Sequence, residues 1–426
     1  MTIYNIILNL FRYTIFPLFI VVLYFFKKER AIHLSKRLKF KYYNPDQDKT
    51  KKNILIHAVS VGETEAVKPL VEKLLLEGHN ITISTVTTTG KEMVKKTFQD
   101  RVDHIFFPLD FRKNCIRFLK RIKPYIIIMA ETEIWPNFLH TCHSLSIPIM
   151  VVNGRISPES YKNYMRFKYL IGLKDCLDIY DTLLMQSDID LQRMINMGAS
   201  DEKTMLMGNL KFDSLIESEN SKSEKNIDLE LKIPKEHKVI IAGSTHQGED
   251  EIFIEVLSEL KKEDKNITGI IAPRHLKRID EIIKIIKSFG LNFILKSKIK
   301  DTPSENTDII ILDTIGELKF IYGLADIAFI GGSISNTGGH NILESIKYGI
   351  PTFFGPNMFN FEFIKEQALK FECGFLIEDK TQLYDGINYF LKNPDQSLEI
   401  ENRAVEMIKK NKGALSIALR VISHYL

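Results

Sequence analysis

Residues Asn53–Leu75 read NILIHAVSVGETEAVKPLVEKLL: a short apolar, β-branched run, a turn through Gly62, then an amphipathic helical stretch. Working outward, the same alternation continues. NITISTVT (80–87), DHIFFPL (103–109), YIIIMAE (125–131), PIMVVNG (148–154) and TLLMQS (182–187) read as buried strands, with helical patterns between them. A second series starts at Lys238 with KVIIAGS, ITGIIAPR, NFILKS, DIIILDT, DIAFIGGS, IPTFFGP and GFLIE. Strands alternating with helices predict βαβ units on parallel sheets. The stretch 214–237, rich in Ser, Glu, Lys and Asn, reads as a linker. The expected organisation is an N-terminal anchor (1–30), one α/β domain (31–213), the linker, and a second α/β domain (238–426). Two doubly wound halves with a cleft between them would place ligands beyond the carboxyl ends of the strands.

The composition fits that reading. The chain has 426 residues, 44% apolar and 26% charged, which excludes a disordered chain, a fibre and a polytopic membrane protein. Four cysteines, Cys115, Cys142, Cys176 and Cys373, show no CxxC spacing and imply a reducing compartment. The formal charge of +4 is uneven: residues 1–52 hold eleven Lys/Arg and three acids, a net of +8, leaving −4 for the rest. Basic charge beside an apolar segment argues for a membrane surface rather than nucleic acid.

That apolar segment is YTIFPLFIVVLYFF, Tyr13–Phe26, fourteen residues without a charge. As one helix it would cover about 21 Å, against a ~30 Å hydrocarbon core. No small-residue cleavage site follows it, so a signal peptide is not expected. The following KKER and KRLKFKYY should stay on the cytoplasmic side by the positive-inside rule. The expectation is a cytoplasm-facing membrane anchor that either spans the bilayer, as a transmembrane helix, or lies in its interface.

Candidate chemistry sits at the strand ends. Glu63 opens the helix after the first strand, where it is either a carboxylate stabilised by the helix dipole or a general base facing the cleft. AETEIWPN puts Glu131 and Glu133 beside the only tryptophan, Trp135; Glu131 with Glu63 would make a carboxylate pair, or each is a separate surface acid. GNLKFD brings Lys211, solvated or functional, to the end of the first half. IIAPRH delivers Pro273, Arg274 and His275, and Arg suits phosphate recognition. In DTIGEL the N–H groups of Ile315, Gly316 and Glu317 could face an anion. In FIGGSISNTGGHNILESIKYG, Gly331, Gly332, Gly338 and Gly339 surround a helix start and would permit close approach of a phosphate. It is neither GxGxxG nor a P-loop. His57, His246, His275 and His340 come singly, without metal-ligand spacing. Asp188-Ile189-Asp190 follows Ser187 and reads as a helix N-cap with acids in the first turn.

Taken together, HAVSVGE, TTTG, PLD, ETEIWPN, NGRIS, GNLKFD, STHQGEDE, APRH, DTIGEL, FIGGS, GGHNILE and GPNMFNF, in that order between His57 and Phe361, resemble the 3-deoxy-D-manno-octulosonic acid (Kdo) transferases of lipopolysaccharide synthesis. The resemblance implies a GT-B glycosyltransferase that moves Kdo from CMP-Kdo to a lipid A precursor (lipid IVA) at the bacterial inner membrane. It implies Glu63 as proton acceptor, and Glu131 and Lys211 as transition-state stabilisers. It implies CMP contacts at Pro273 and Arg274, at Ile315, Gly316 and Glu317, and at Asn341, Ile342, Leu343 and Glu344, with Ile342 contributing backbone only. No cofactor or metal is implied, since the single phosphate of a CMP-sugar can be met by Lys, Arg and helix dipoles. Two rival readings are a nucleotide-sugar epimerase, which needs no anchor, and a membrane-tethered nucleotide binder without turnover.

Overall fold

The computed structural model describes all residues except 1, 27, 41–42, 44–47, 49, 216–230 and 302–306. Residues 216–230 of the expected linker therefore lie outside the described residues. The chain divides into two compact units, Met1–Glu217 with Asn411–Leu426, and Ser218–Lys410.

The first unit is built on β1 (Asn53–His57), β2 (Asn80–Thr85), β3 (Asp103–Phe106), β4 (Ile126–Ala130), β5 (Ile149–Gly154), β6 (Thr182–Met185) and β7 (Thr204–Leu206). Their order is β3-β2-β1-β4-β5-β6-β7 and every pairing is parallel. Side chains alternate between two cores. Leu55, Ile127, Met129 and Val151 enter one, while Ile54, Ile56, Ile126, Ile128 and Val152 enter the other. That is the arrangement of a sheet covered on both faces, and it explains why the strands read as continuous apolar runs. The edge strand β7, which runs into GNLKFD, is three residues long, and Met205 and Leu206 are exposed.

The second unit holds β8 (Lys238–Thr245), β9 (Ile267–Pro273), β10 (Phe293–Leu295), β11 (Ile309–Ile311), β12 (Ile327–Ile330), β13 (Thr352–Phe354) and β14 (Gly374–Leu376), ordered β10-β11-β9-β8-β12-β13-β14. All pairings are again parallel. One boundary is corrected. The last helix, Ala414–Ser423, belongs to the first unit rather than to a domain 238–426. Its Ala414, Ala418 and Ile422 join the core of Val67, Leu70 and Val71, and the Asp213 carboxylate accepts the N–H groups of Gly413 (3.0 Å) and Leu415 (3.3 Å).

The expected transmembrane helix is also corrected. The N-terminus forms three helices, α1 (Thr2–Tyr13), α2 (Ile15–Phe26) and α3 (Lys28–Lys39). Among the described residues no helix is long and apolar enough to cross a membrane. The break at Thr14 has a local cause: Pro17 has no N–H to give the Tyr13 carbonyl and its ring clashes there, so the helix restarts. One face is seated on the first unit, through Tyr4 Oη donating to Asp110 Oδ2 (2.8 Å), Phe16 edge-on to Phe111, and Arg37 Nε donating to the Phe107 carbonyl (2.9 Å). On the other side of α1, Ile3, Ile6, Ile7 and Leu10 form an exposed apolar stripe at i, i+3, i+4 and i+7.

Candidate functional site

In the first unit the strand order grows outward from β1 in one direction and from β4 in the other, so the β1–β4 edge is the topological switch point where such sheets bind ligands. Glu63 follows β1 in α4 (Val61–Ala66), which Ser60 caps. The Ser60 hydroxyl donates to Glu63 Oε1 (3.0 Å), and the Val59 N–H donates to Glu63 Oε2 (2.7 Å). Glu63 thus closes the turn that Ser60 caps. The carboxyl is nonetheless pushed up to about 8, by burial first and by Glu131 next, with Glu133 adding and the Val59 and Ser60 hydrogen bonds opposing.

Glu131 follows β4 with φ 56°, a left-handed conformation that is strained for a residue with a side chain. Its N–H stays in the ladder, on Val152 O (3.0 Å), so the kink re-aims the side chain at the strand end. Arg155 Nη1 stands 4.0 Å from Glu131 Oε2. The two acids of ETEIWPN then separate: Glu133 Oε2 accepts the Trp135 indole N–H (2.6 Å), which leaves Glu131 as the one facing Arg155.

Lys211 lies on the one-turn helix Leu210–Asp213. Asn209 caps it by accepting the Lys211 N–H (3.0 Å), and Asn153 Oδ1 on the β5 end accepts the Leu210 N–H (3.0 Å). Burial lowers the proton affinity of the Lys211 ammonium; Glu131 and then Glu63 pull it back up, and Arg155 pushes it down. Glu63, Glu131 and Lys211 are thus brought together, with Arg155 as a fourth member that the sequence reading did not single out. Its signal was present in NGRIS, directly after a strand. The Asp188–Asp190 pair is structural: Ser187 caps, and Asp190 Oδ1 accepts the Ile156 N–H (2.7 Å) to hold the NGRIS loop.

In the second unit the switch point falls at β8 and β12, with β9 and β11 beyond β8. Pro273 closes β9 and Arg274 follows it, exposed, its N–H on Thr245 O (3.0 Å). Ile315 is exposed after β11, Gly316 takes φ 92°, and Glu317 Oε1 accepts from Lys296 Nζ (2.7 Å). Asn341 Oδ1 accepts the Leu343 N–H (3.3 Å) at the start of the short helix Leu343–Ile346, where Ile342 and Leu343 are buried and Glu344 is half-buried.

In the first half of the glycine-rich loop the N–H groups of residues 332–335 are taken by the buried Glu249 carboxylate. Oε2 accepts from His246 (2.8 Å) and Gly332 (2.7 Å), and Oε1 accepts from Ser333 (3.0 Å), Ile334 (2.9 Å) and Ser335 (3.1 Å). A Cβ on Gly339 would fall 2.2 Å from Met358 Sδ, and one on Gly338 2.2 Å from Asn360 Nδ2. Gly338 and Gly339 therefore pack too closely on neighbouring protein atoms for a side chain. The histidines cluster in space: His246 Nε2 and His340 Nε2 lie 3.0 Å apart with ring planes within 14° of each other, and the His275 ring is 5.8 Å from that of His246. Among the described residues no group of three His, Cys, Asp or Glu side chains could hold a metal ion.

Residues 33–214 match the family model of 3-deoxy-D-manno-octulosonic-acid transferase. A bifunctional glycosyltransferase/methyltransferase of Fusobacterium nucleatum is 36% identical over 91% of this chain, which spans 60% of that relative's length. A 3-deoxy-D-manno-octulosonic acid transferase of Haemophilus influenzae is 34% identical over 88% of this chain and 87% of its own. In fold, a glycosyltransferase from Rickettsia africae aligns with TM-score 0.61 at 16% identity, covering 88% of this chain and 98% of its own. Identity at this level over 88% of this chain and 87% of the relative places the protein in the 3-deoxy-D-manno-octulosonic acid transferase family.

Proposed function

We propose that this chain is an inverting glycosyltransferase that moves Kdo from CMP-Kdo to a lipid A precursor, lipid IVA, in lipopolysaccharide core synthesis. The observation that carries the reading is Glu63: a carboxyl with raised proton affinity, beside Glu131 and Lys211, at the switch point of the first unit. In the reaction an acceptor hydroxyl oxygen bonds to the anomeric carbon and its proton passes to Glu63. The bond from that carbon to the phosphate oxygen breaks, and its electron pair leaves with CMP. Glu131 and Lys211 meet the charge that develops during transfer. Arg274, with the Ile315–Glu317 and Asn341–Glu344 segments, holds the nucleotide.

The test is CMP release from CMP-Kdo with and without a tetra-acylated glucosamine disaccharide bisphosphate. Release that depends on the acceptor supports the reading; none with either would refute it. Arg274→Ala should weaken CMP binding by ~1.5–3 kcal/mol, the scale of a hydrogen bond to a charged group. Calorimetry showing unchanged affinity would remove Arg274 from the nucleotide site.

The proposed location is the cytoplasmic side of the inner membrane, where a lipid acceptor and a soluble nucleotide sugar can meet. The exposed stripe of α1 supports an interfacial position, and so does the net charge of +8 in residues 1–52. Ile6→Ser with Leu10→Ser should weaken binding to anionic vesicles by about 2–4 kcal/mol without changing CMP affinity. Unchanged partitioning in a vesicle sedimentation assay would place the membrane contact elsewhere.

A further inference from the structure

The histidine pair stands at the carboxyl ends of the strands that flank the second unit's switch point, His246 after β8 and His340 in the loop after β12. It is held there. Glu249 clamps the His246 N–H together with the N–H groups of residues 332–335, which staples the two loops to each other. His340 lies against Gly332, where a Cβ would meet its Nε2 at 3.0 Å. Two facing Nε2 atoms at 3.0 Å form a hydrogen bond only if one of them carries hydrogen. The pair therefore shares one proton when neutral, and one further proton, entering at an Nδ1, makes it a single cation. The charged and titratable groups that act on His246 are Glu249, His275, Arg274 and Arg278; those that act on His340 are Arg274, His246 and His275. Glu249 is spent on five backbone N–H groups, so an anion arriving at Arg274 would meet a half-buried imidazole pair that no carboxylate has already neutralised.

We propose that His246 and His340, with Arg274, form an anion subsite of the second unit that takes up one proton from solvent when an anionic oxygen group of the donor binds. The inference rests on the reading of this unit as the CMP-sugar site. The anion is either the phosphate or the carboxylate of the sugar acid. In the empty protein burial, and after it Arg274 and the neighbouring rings, hold His340 down to about 4; burial likewise lowers His246. A bound anion reverses that bias. Protonation then accompanies binding between about pH 4 and the ordinary imidazole range, and affinity rises as pH falls through that window.

The experiment is calorimetry of the full chain at pH 5.5 and 7.5, in buffers of differing ionisation enthalpy, to count protons taken up. CMP methyl diester carries a phosphate charge that does not titrate; CMP-Kdo adds the carboxylate. Expected is roughly three- to tenfold tighter binding at pH 5.5, with proton uptake, reduced to no pH effect in His340→Gln and in His246→Gln. Uptake with the methyl diester assigns the phosphate, and uptake with CMP-Kdo alone assigns the carboxylate. Nucleotide binding without proton uptake in the unaltered protein overturns the subsite while leaving the reading of the second unit as the nucleotide site intact. The same pH effect persisting in both variants also overturns it. Failure of both nucleotides to bind overturns both.

Discussion

Glu63→Gln should cut Kdo transfer by ~10²–10⁴-fold, the usual cost of removing a general base, while CMP binding by the second unit is unchanged. Gln keeps the local structure: its carbonyl can accept the Val59 N–H, and its amide can donate to the Ser60 hydroxyl, which reverses its role. What it cannot do is accept a proton. Because the Glu63 carboxyl is held up to about 8, only a minority is ionised at neutral pH, and kcat/KM should climb as pH rises toward that value. The variant should lose this limb. A stability effect of opposite sign accompanies it. A carboxyl with raised folded-state proton affinity weakens folding as pH rises from the ordinary carboxylate range toward 8, and Gln escapes that cost. Thermal melts should show Glu63→Gln more stable than the parent by about 1–3 kcal/mol at pH 9, and by less at pH 5. Near-normal turnover in the variant would reduce Glu63 to a helix cap.

Glu249 should behave oppositely to amide substitution. Both of its oxygens accept only from backbone N–H groups, two on Oε2 and three on Oε1. In Glu249→Gln the amide N–H₂ must face at least two donors, so the isosteric change is destabilising rather than neutral. Glu249→Ala leaves all five donors without their acceptor. Either change should cost ~3–5 kcal/mol, the scale of breaking a buried charged network, and should abolish CMP binding as the β8 and β12 loops separate. Gly331→Ala should act in the same direction, since its Cβ would fall 2.8 Å from Glu249 Oε2 and 2.6 Å from Thr245 Cα. Wild-type melting and CMP affinity in Glu249→Gln would show that the loops hold together by other means.

What was legible in the sequence, and what was not, follows from how local each signal is. Runs such as IIIMA and DIAFI are apolar on both faces because both faces are covered, so they read as strands without any knowledge of their partners. Glu63, Glu131 and Lys211 were found as strand-end residues, and the parallel topology then brings such positions to one edge of the sheet. The sheet that the last helix covers was not legible. The pattern of Ala414–Ser423 says that one face is buried, but not beneath which unit. Glu249 was hidden for a related reason. It stands with Asp250 and Glu251 at a helix start, where three acids all suit the dipole, and only the fold turns one of them toward a loop 83 residues away. The N-terminal run, fourteen uncharged residues, left spanning and interfacial placement open, and the break that Pro17 imposes at Thr14 decides the helix lengths.

Transfer of Kdo to a lipid is tested most directly by the mass of the lipid product. The full chain, CMP-Kdo and a tetra-acylated glucosamine disaccharide bisphosphate should yield lipid heavier by one or more Kdo residues, and Glu63→Gln should yield almost none in the same time. An acceptor of unchanged mass, from folded protein that binds CMP, would contradict the account.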